Sequence, residues 1–373
     1  MKIVAHISRF LLGIVFVYSG FVKAVDPWGY QFKFEDYFIA FGMEWLFPAA
    51  LFFSILLAGA EFLIGAALLF GIKPKLSIWS ASAFMVLFTP ITLYLALTDA
   101  VGDCGCFGDA LILSNWDTFF KNIIIIAMLI PVFLYRKKFK HYMSCKLEWI
   151  PVAIFAAGIL FVSFQGLRHL PMIDFLPYNP GMSMKPDPTK KDQYFVSYKD
   201  KRTGETKEYP ADNFPWSDST WMANNEFVTQ RVVPGEKPAN MVVLFDAMDQ
   251  DVTKEISLNP DFQFWVVAWN VDEVSDKAIA RINEFAAQCA ADSFDIALLT
   301  ASSPEKTEQF RHDKQIAIDP YFADDIVLKM VIRANPGFVL LKDGTILGKW
   351  AWRDVPNLPD IDTKGLEATY IKK

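Results

Sequence analysis

Read for its runs of apolar residues, the chain changes character near its middle. Five stretches carry little charge over the length a helix needs to cross a bilayer: Ile3 to Val25, Phe47 to Gly71, Leu76 to Leu97, Phe119 to Tyr135 and Trp149 to Gly166. A span takes about 20 mostly apolar residues, because the hydrocarbon layer holds no water to satisfy backbone groups. Val22-Lys23-Ala24 loosely matches the cleavage site of a secretion signal. Arg9 interrupts the first apolar run, however, and that run reads as a retained span.

Beyond the fifth run the pattern becomes that of a water-soluble α/β unit. Leu170-Pro171 through Asp187-Pro188 is rich in proline and lysine and reads as an extended linker. Tyr194 to Tyr198 and Thr206 to Tyr209 alternate as a hairpin would, across a turn near Thr203-Gly204. From about Ala239 strands and helices alternate. Strands are expected at Phe262–Trp269 and Asp295–Thr300, and helices at Lys277–Ala291, Pro304–His312 and Tyr321–Ile332. Gly337–Leu341 and Ile346–Trp350 form a closing hairpin over Lys342-Asp343-Gly344-Thr345. A βαβ unit followed by a helix and a terminal hairpin is the order of a thioredoxin-like fold. The fold class expected is therefore an α-helical membrane bundle followed by a soluble α/β thioredoxin-like domain.

Composition sharpens this division. A chain of 373 residues exceeds what one hydrophobic core organises, and its mean hydropathy of +0.23 averages two unlike halves. A net charge of -6, with no basic face, excludes a nucleic-acid footprint and leaves the lipid bilayer as the evident partner. Lysine and arginine collect at Lys73 and Lys75 and at Arg136, Lys137, Lys138, Lys140 and Lys146, whereas Asp99 to Asp117 has neither. The positive-inside rule then predicts a cytoplasmic amino terminus in the inner or plasma membrane. The Asp99–Asp117 loop and the carboxy-terminal domain would share the extracytoplasmic (periplasmic) side, where disulfides persist.

That loop reads Asp103-Cys104-Gly105-Cys106-Phe107-Gly108-Asp109. Two thiols separated by one glycine are close enough for a small-ring disulfide, and glycine supplies the backbone freedom such a closure needs. Three readings stand: a redox-active pair, a permanent staple, or a pair of soft-metal ligands completed from elsewhere. Asp103 and Asp109 flank the pair, and like-charge repulsion from them is expected to raise the thiol pKa values. Cys145 falls in a cytoplasmic loop, and Cys289 reads as a small buried hydrophobe. His6, His141, His169 and His312 lie apart, without metal-ligand spacing.

Arg9 through Gly13, Tyr18 through Pro27, the Cys104-Gly105-Cys106-Phe107-Gly108 loop and Ser114 through Asn122 resemble the DoxX/MauE group of redox-associated membrane proteins. The likeness covers roughly the first 140 residues. It implies a four-helix membrane domain over residues 1–140; the residue pattern adds a fifth span over 141–168, a linker over 169–193 and the α/β domain over 194–373. MauE-type members are associated with disulfide formation during maturation of methylamine dehydrogenase, and DoxX-type members with a quinone-linked oxidoreductase. The redox association carries over here; the pathway does not. Asn335-Pro336-Gly337 and the following strand look similar to the cis-proline region of thioredoxin and TlpA relatives. Where those relatives carry Cys-x-x-Cys, however, this sequence has Ala268-Trp269-Asn270-Val271-Asp272-Glu273-Val274-Ser275. The domain is therefore no thiol oxidoreductase itself, and Asn335 and Pro336 become candidates for docking an extended partner or substrate protein.

Ionisable residues inside spans are functional candidates, because burying charge there is costly. Glu61 and Arg9 are expected on the same half of the membrane, where they would form either a structural ion pair or part of a quinone or proton site. Lys23 and Asp26 end the first span, within reach of the cysteine loop. The leading expectation is a membrane thiol-disulfide oxidoreductase in which Cys104 and Cys106 pass electrons to an acceptor such as quinone. The alternative is an envelope scaffold or maturation factor, stapled at Cys104–Cys106, whose α/β domain recruits a partner. A transporter reading lacks an inverted repeat or a broken helix pair to support it.

Overall fold

The computed structural model describes residues 2–141, 143–185, 193–211, 213–215, 217–233 and 241–371. Its first half is helical: α1 (Lys2–Val25), α2 (Pro27–Ala40), α3 (Ala50–Phe70), α4 (Pro74–Thr98), α5 (Asn115–Tyr135) and α6 (Trp149–Arg168). Five of these, all but α2, are long and apolar enough to cross a membrane, and the chain is an integral membrane protein. Ile3, Phe52, Val86 and Ile124 are 60% exposed or more on the bundle surface, an arrangement suited to lipid and not to water.

Helix α1 is the hub, and it meets α3 at very close range. A Cβ added to Gly20 would lie 2.4 Å from the Phe62 nitrogen, and one added to Gly65 would lie 2.4 Å from the Val17 nitrogen. Small residues let the two backbones touch, the usual route to association where lipid offers no hydrophobic drive between helices. These contacts also fix the antiparallel register, with Gly13 beside Leu69, Val17 beside Gly65 and Gly20 beside Phe62.

Helix α2 was not expected from hydropathy. Asp26 caps it, accepting a hydrogen bond from Gly29 N at 2.9 Å, and Pro27 occupies its first turn. Tyr30, Phe34, Tyr37, Phe38 and, just past its end, Phe41 follow one another at helical spacing, forming an aromatic stripe.

The second half holds two sheets. Strands β1 (Gln193–Asp200) and β2 (Thr206–Pro210) form the expected hairpin. A third strand, β3 (Asn225–Val233), follows the short helix α7 (Ser219–Asn224) and pairs with the other edge of β1. After α8 (Thr253–Ser257) come β4 (Phe262–Val267), α9 (Asp276–Ala291), β5 (Asp295–Thr300) and α10 (Pro304–Lys314). Then follow β6 (Asp319–Phe322), α11 (Asp325–Val331), β7 (Gly337–Lys342), β8 (Thr345–Ala351) and α12 (Thr363–Tyr370). The strand order is β6-β5-β4-β7-β8, with β4, β5 and β6 parallel and β7 and β8 antiparallel, consistent with a thioredoxin-like α/β domain.

Strand β4 is apolar almost throughout because both sheet faces are covered. Phe264 and Val266 pack with Ile282 and Phe285 of α9, while Trp265 and Val267 join Val242, Leu244 and Leu328 on the opposite face. Two expectations change here. The helix expected over Tyr321–Ile332 divides: Tyr321 and Phe322 pair with Leu299 and Thr300 as part of β6, and only Asp325–Val331 is helical, capped by Asp324. The expected linker is not free in its described part. Gly181 N donates to Ile346 O and Met184 N to Gly344 O, so this segment lies along β8 with Tyr178 and Met184 buried. Residues 186–192 of the expected linker lie outside the described residues.

Candidate functional site

The cysteine loop joins α4 to α5 at the end of the bundle that carries the α/β domain. Cys104 and Cys106 are thiols whose sulfurs lie 3.1 Å apart. Gly105 between them has φ +64, in the left-handed region that glycine occupies without penalty. Side chains from both halves of the chain hold the loop. Tyr37 of α2 donates its hydroxyl to Cys104 O at 2.9 Å. Lys23 Nζ and Ser19 Oγ of α1 both lie against Cys106 O, at 2.5 and 2.7 Å. Lys33 Nζ pairs with Asp103 at 2.6 Å, and Arg333 of the α/β domain pairs with Asp109 at 2.8 Å.

Below the loop lies an apolar cavity of about 220 Å³. Phe34, Tyr37 and Phe38 of α2 and Phe84 and Phe88 of α4 supply flat aromatic walls, and both cysteines line it. Ser19, Tyr30, Tyr37, Glu61, Lys121 and Asn122 bring polar side chains to its lining. Lys121 Nζ sits 4.5 Å from the Phe107 ring centre and has no carboxylate partner among the described residues.

The two thiols differ. The proton of Cys104, donated toward Cys106, holds the Cys106 thiol down to about 6, and the ammonium charges of Lys121 and Lys23 act in the same direction against burial. The same shared proton, together with burial, pushes Cys104 up. This corrects the expectation that Asp103 and Asp109 raise both thiols, since each carboxylate is paired with a cation.

The expected Glu61–Arg9 pair does not form. The α1/α3 register sets Glu61 across from Phe21, about three turns or roughly 18 Å along α1 from Arg9. Glu61 instead accepts from Lys23 Nζ and Ser19 Oγ, each at 2.7 Å, and the Lys23 side chain is fully buried. Arg9 lies at the opposite end of the bundle, its guanidinium 5.0 Å from the Phe139 ring centre, away from the cavity. Of the two expected acceptor-site residues, the structure brings only Glu61 to the cysteines.

Asn335–Pro336 is a cis peptide, as the resemblance implied, and Asn335 Nδ2 donates to Asn270 O at 2.8 Å. That face of the domain is turned toward α2: the Phe32 ring meets Trp269 edge-on at 6.4 Å. Asn335 and Pro336 thus sit beside an intramolecular contact and not in the cysteine cavity.

Lys121, Tyr37, Ser19 and Arg333 escaped the sequence reading. The aromatic spacing of α2 and its Asp-Pro start were visible signals; nothing local marked Arg333. Cys145 stands at the far end of the bundle, where Lys73 Nζ donates to its carbonyl, and Cys289 is buried in the α/β core. Among the described residues, no group of three or more His, Cys, Asp or Glu side chains is placed to hold a metal ion. No curated protein and no solved structure matches the chain. Residues 1–135 match the model of a family described as methylamine utilisation protein MauE, so the likeness covers α1 to α5 with the cysteine loop and leaves α6 and the α/β domain outside it.

Proposed function

We propose that the protein is a membrane thiol-disulfide oxidoreductase in which Cys104 and Cys106 take electrons from a thiol substrate and pass them to a quinone-type acceptor in the adjoining cavity. The observation that carries this reading is the thiol pair itself, set in the wall of an aromatic cavity lined by the membrane helices and α2. A quinone ring suits the flat walls, and Lys121 and Asn122 offer donors for its oxygens. When bound, such a ring supplies a two-electron, two-proton sink.

The chain's own part follows from the geometry. Cys106 carries the thiolate near neutral pH, and Cys104 holds the second proton next to it. Oxidation of this thiolate–thiol pair forms one S–S bond, releases two electrons to the acceptor and frees the single Cys104 proton; the acceptor draws its second proton from water, which took up the one Cys106 had already released. Glu61, on the cavity wall and bonded to Lys23 and Ser19, would carry a proton there. A substrate dithiol then reduces the disulfide by exchange through a mixed disulfide, restoring both thiols. On the expected topology this exchange takes place on the extracytoplasmic side.

The test uses full-length protein in lipid nanodiscs with the pair reduced. A short-chain ubiquinone is added; hydroquinone is followed by absorbance and each cysteine by alkylation and mass spectrometry. One equivalent of hydroquinone should accompany loss of both thiols, and C104S and C106S should each abolish it. A pair that stays reduced beside excess quinone, yet closes with a small-molecule disulfide, would favour the stapled scaffold.

A further inference from the structure

An ion pair joins the α/β domain to the cysteine loop. Arg333 lies between α11 and the cis-proline turn, with its side chain 6% exposed. Its Nε donates to Asp26 Oδ2 at 2.8 Å and its Nη2 to Asp109 Oδ2 at 2.8 Å, while Nη1 is satisfied by Lys329 O at 2.6 Å. Asp26 ends α1 and caps α2; Asp109 lies three residues past Cys106. A planar fork that grips two carboxylates from separate segments is a task for arginine, and lysine cannot reproduce it.

The surroundings are built for this grip. A Cβ added to Gly29 would lie 2.8 Å from Arg333 Nη2 and 2.3 Å from Asp26 Oδ2, so only glycine leaves room there. The Phe32 ring of α2 carries Arg333 on its face at 5.5 Å and Lys329 at 4.3 Å. The domain also has a separate hold on the segment after α6, through His169–Asp354 and Lys349–Asp174. Loss of the Arg333 contact would therefore release the Asp109 end of the cysteine loop while the domain keeps its other attachment.

We propose that Arg333 is a positioning residue, a latch through which docking of the α/β domain holds the cysteine loop in its reactive geometry. The α/β domain thereby controls a thiol pair it does not itself contain. This rests on the redox reading for its purpose, although the latch itself is measured without any acceptor. Cys106 reports it, because its thiolate depends on the proton of Cys104, whose Sγ lies 3.1 Å from its own. The charged and titratable groups around Cys106 are Lys23 of α1, Tyr30 and Tyr37 of α2, Glu61 of α3, Lys121 of α5 and Cys104, and none of them is altered in the test.

The experiment compares wild type, R333Q, R333K and D26N/D109N as full chains in nanodiscs. It reads the pH profile of Cys106 alkylation and backbone hydrogen exchange over residues 101–110 and 325–336. In R333Q and in D26N/D109N the midpoint should rise by a unit or more, and exchange should increase in both segments together. R333K should fall between them and wild type. D26N/D109N leaves the α/β sequence intact, so the same result there separates undocking from misfolding of that domain. An unchanged alkylation profile and unchanged loop exchange in D26N/D109N would overturn the latch. If the variants shift as expected while quinone still fails to oxidise the wild-type pair, the latch stands and the electron-passing reading fails.

Discussion

The buried Lys23–Glu61 pair offers the sharpest test of how the site is held. Its charges are 2.7 Å apart with side chains 0% and 7% exposed, inside the helical bundle. At an effective dielectric near 20 their gross attraction is about 6 kcal/mol, most of it offset by the cost of burying both ions. Removing one partner strands the other, and the two strandings are unequal. In Glu61→Gln, Lys23 keeps Ser19 Oγ at 2.7 Å and Cys106 O at 2.5 Å, so the expected loss is about 2–3 kcal/mol. In Lys23→Met, the carboxylate keeps only the Ser19 hydroxyl, whose one proton must also serve Cys106 O, and the loss should approach about 3–5 kcal/mol. The double variant Lys23→Met/Glu61→Leu buries no charge and should recover most of this. Reversible unfolding of the four proteins in mixed micelles gives the cycle. Additive single losses, or a Lys23→Met loss below about 1 kcal/mol, would refute the reasoning.

Cys106 alkylation should rise through about pH 6 and level off above it, because the thiolate is the reactive form and exists above its pKa. C104A, which removes the neighbouring proton donor, and Lys121→Met should each move that midpoint upward, as read by mass spectrometry. Gly20→Val should cost about 1–3 kcal/mol or more, since its Cβ would meet the Phe62 backbone at 2.4 Å; thermal unfolding in nanodiscs measures it.

Much of the architecture was legible because its causes are local. Span length and apolar run located five helices to within a few residues, and β4, α9, β5, β7 and β8 followed from periodicity. The miscast helix over Tyr321–Ile332 shows the limit of that method: Tyr321 and Phe322 suit either state, and pairing with β5 decided for strand. Helix α2 escaped because its aromatic stripe turns toward a cavity between helices, which hydropathy cannot distinguish from a loop. The Glu61–Arg9 pairing failed on register. Counting residues from apparent span ends misjudges depth, whereas the small residues at Gly13, Gly20 and Gly65 set how α1 and α3 slide past one another.

The electrostatics of the cysteine loop reverse sign between sequence and structure, for a reason that reaches across the whole chain. Along the sequence, Cys106 has carboxylates on both sides and no nearby cation from Asp99 to Asp117. In space, Asp103 is paired with Lys33, seventy residues earlier, and Asp109 with Arg333, 224 residues later. With both acids paired, the ammonium groups of Lys23 and Lys121 are left to act on Cys106, and the shared proton of Cys104 completes the stabilisation of its thiolate. The two pairings draw on different parts of the molecule. Lys33 belongs to the span that matches the MauE model, and Arg333 to the domain beyond it. A membrane half truncated after α6 would keep the Asp103 pair and lose the Asp109 pair, leaving one anionic flank exposed beside the thiols. The α/β domain, without a Cys-x-x-Cys of its own, thus meets the cysteine loop through the carboxylate of Asp109.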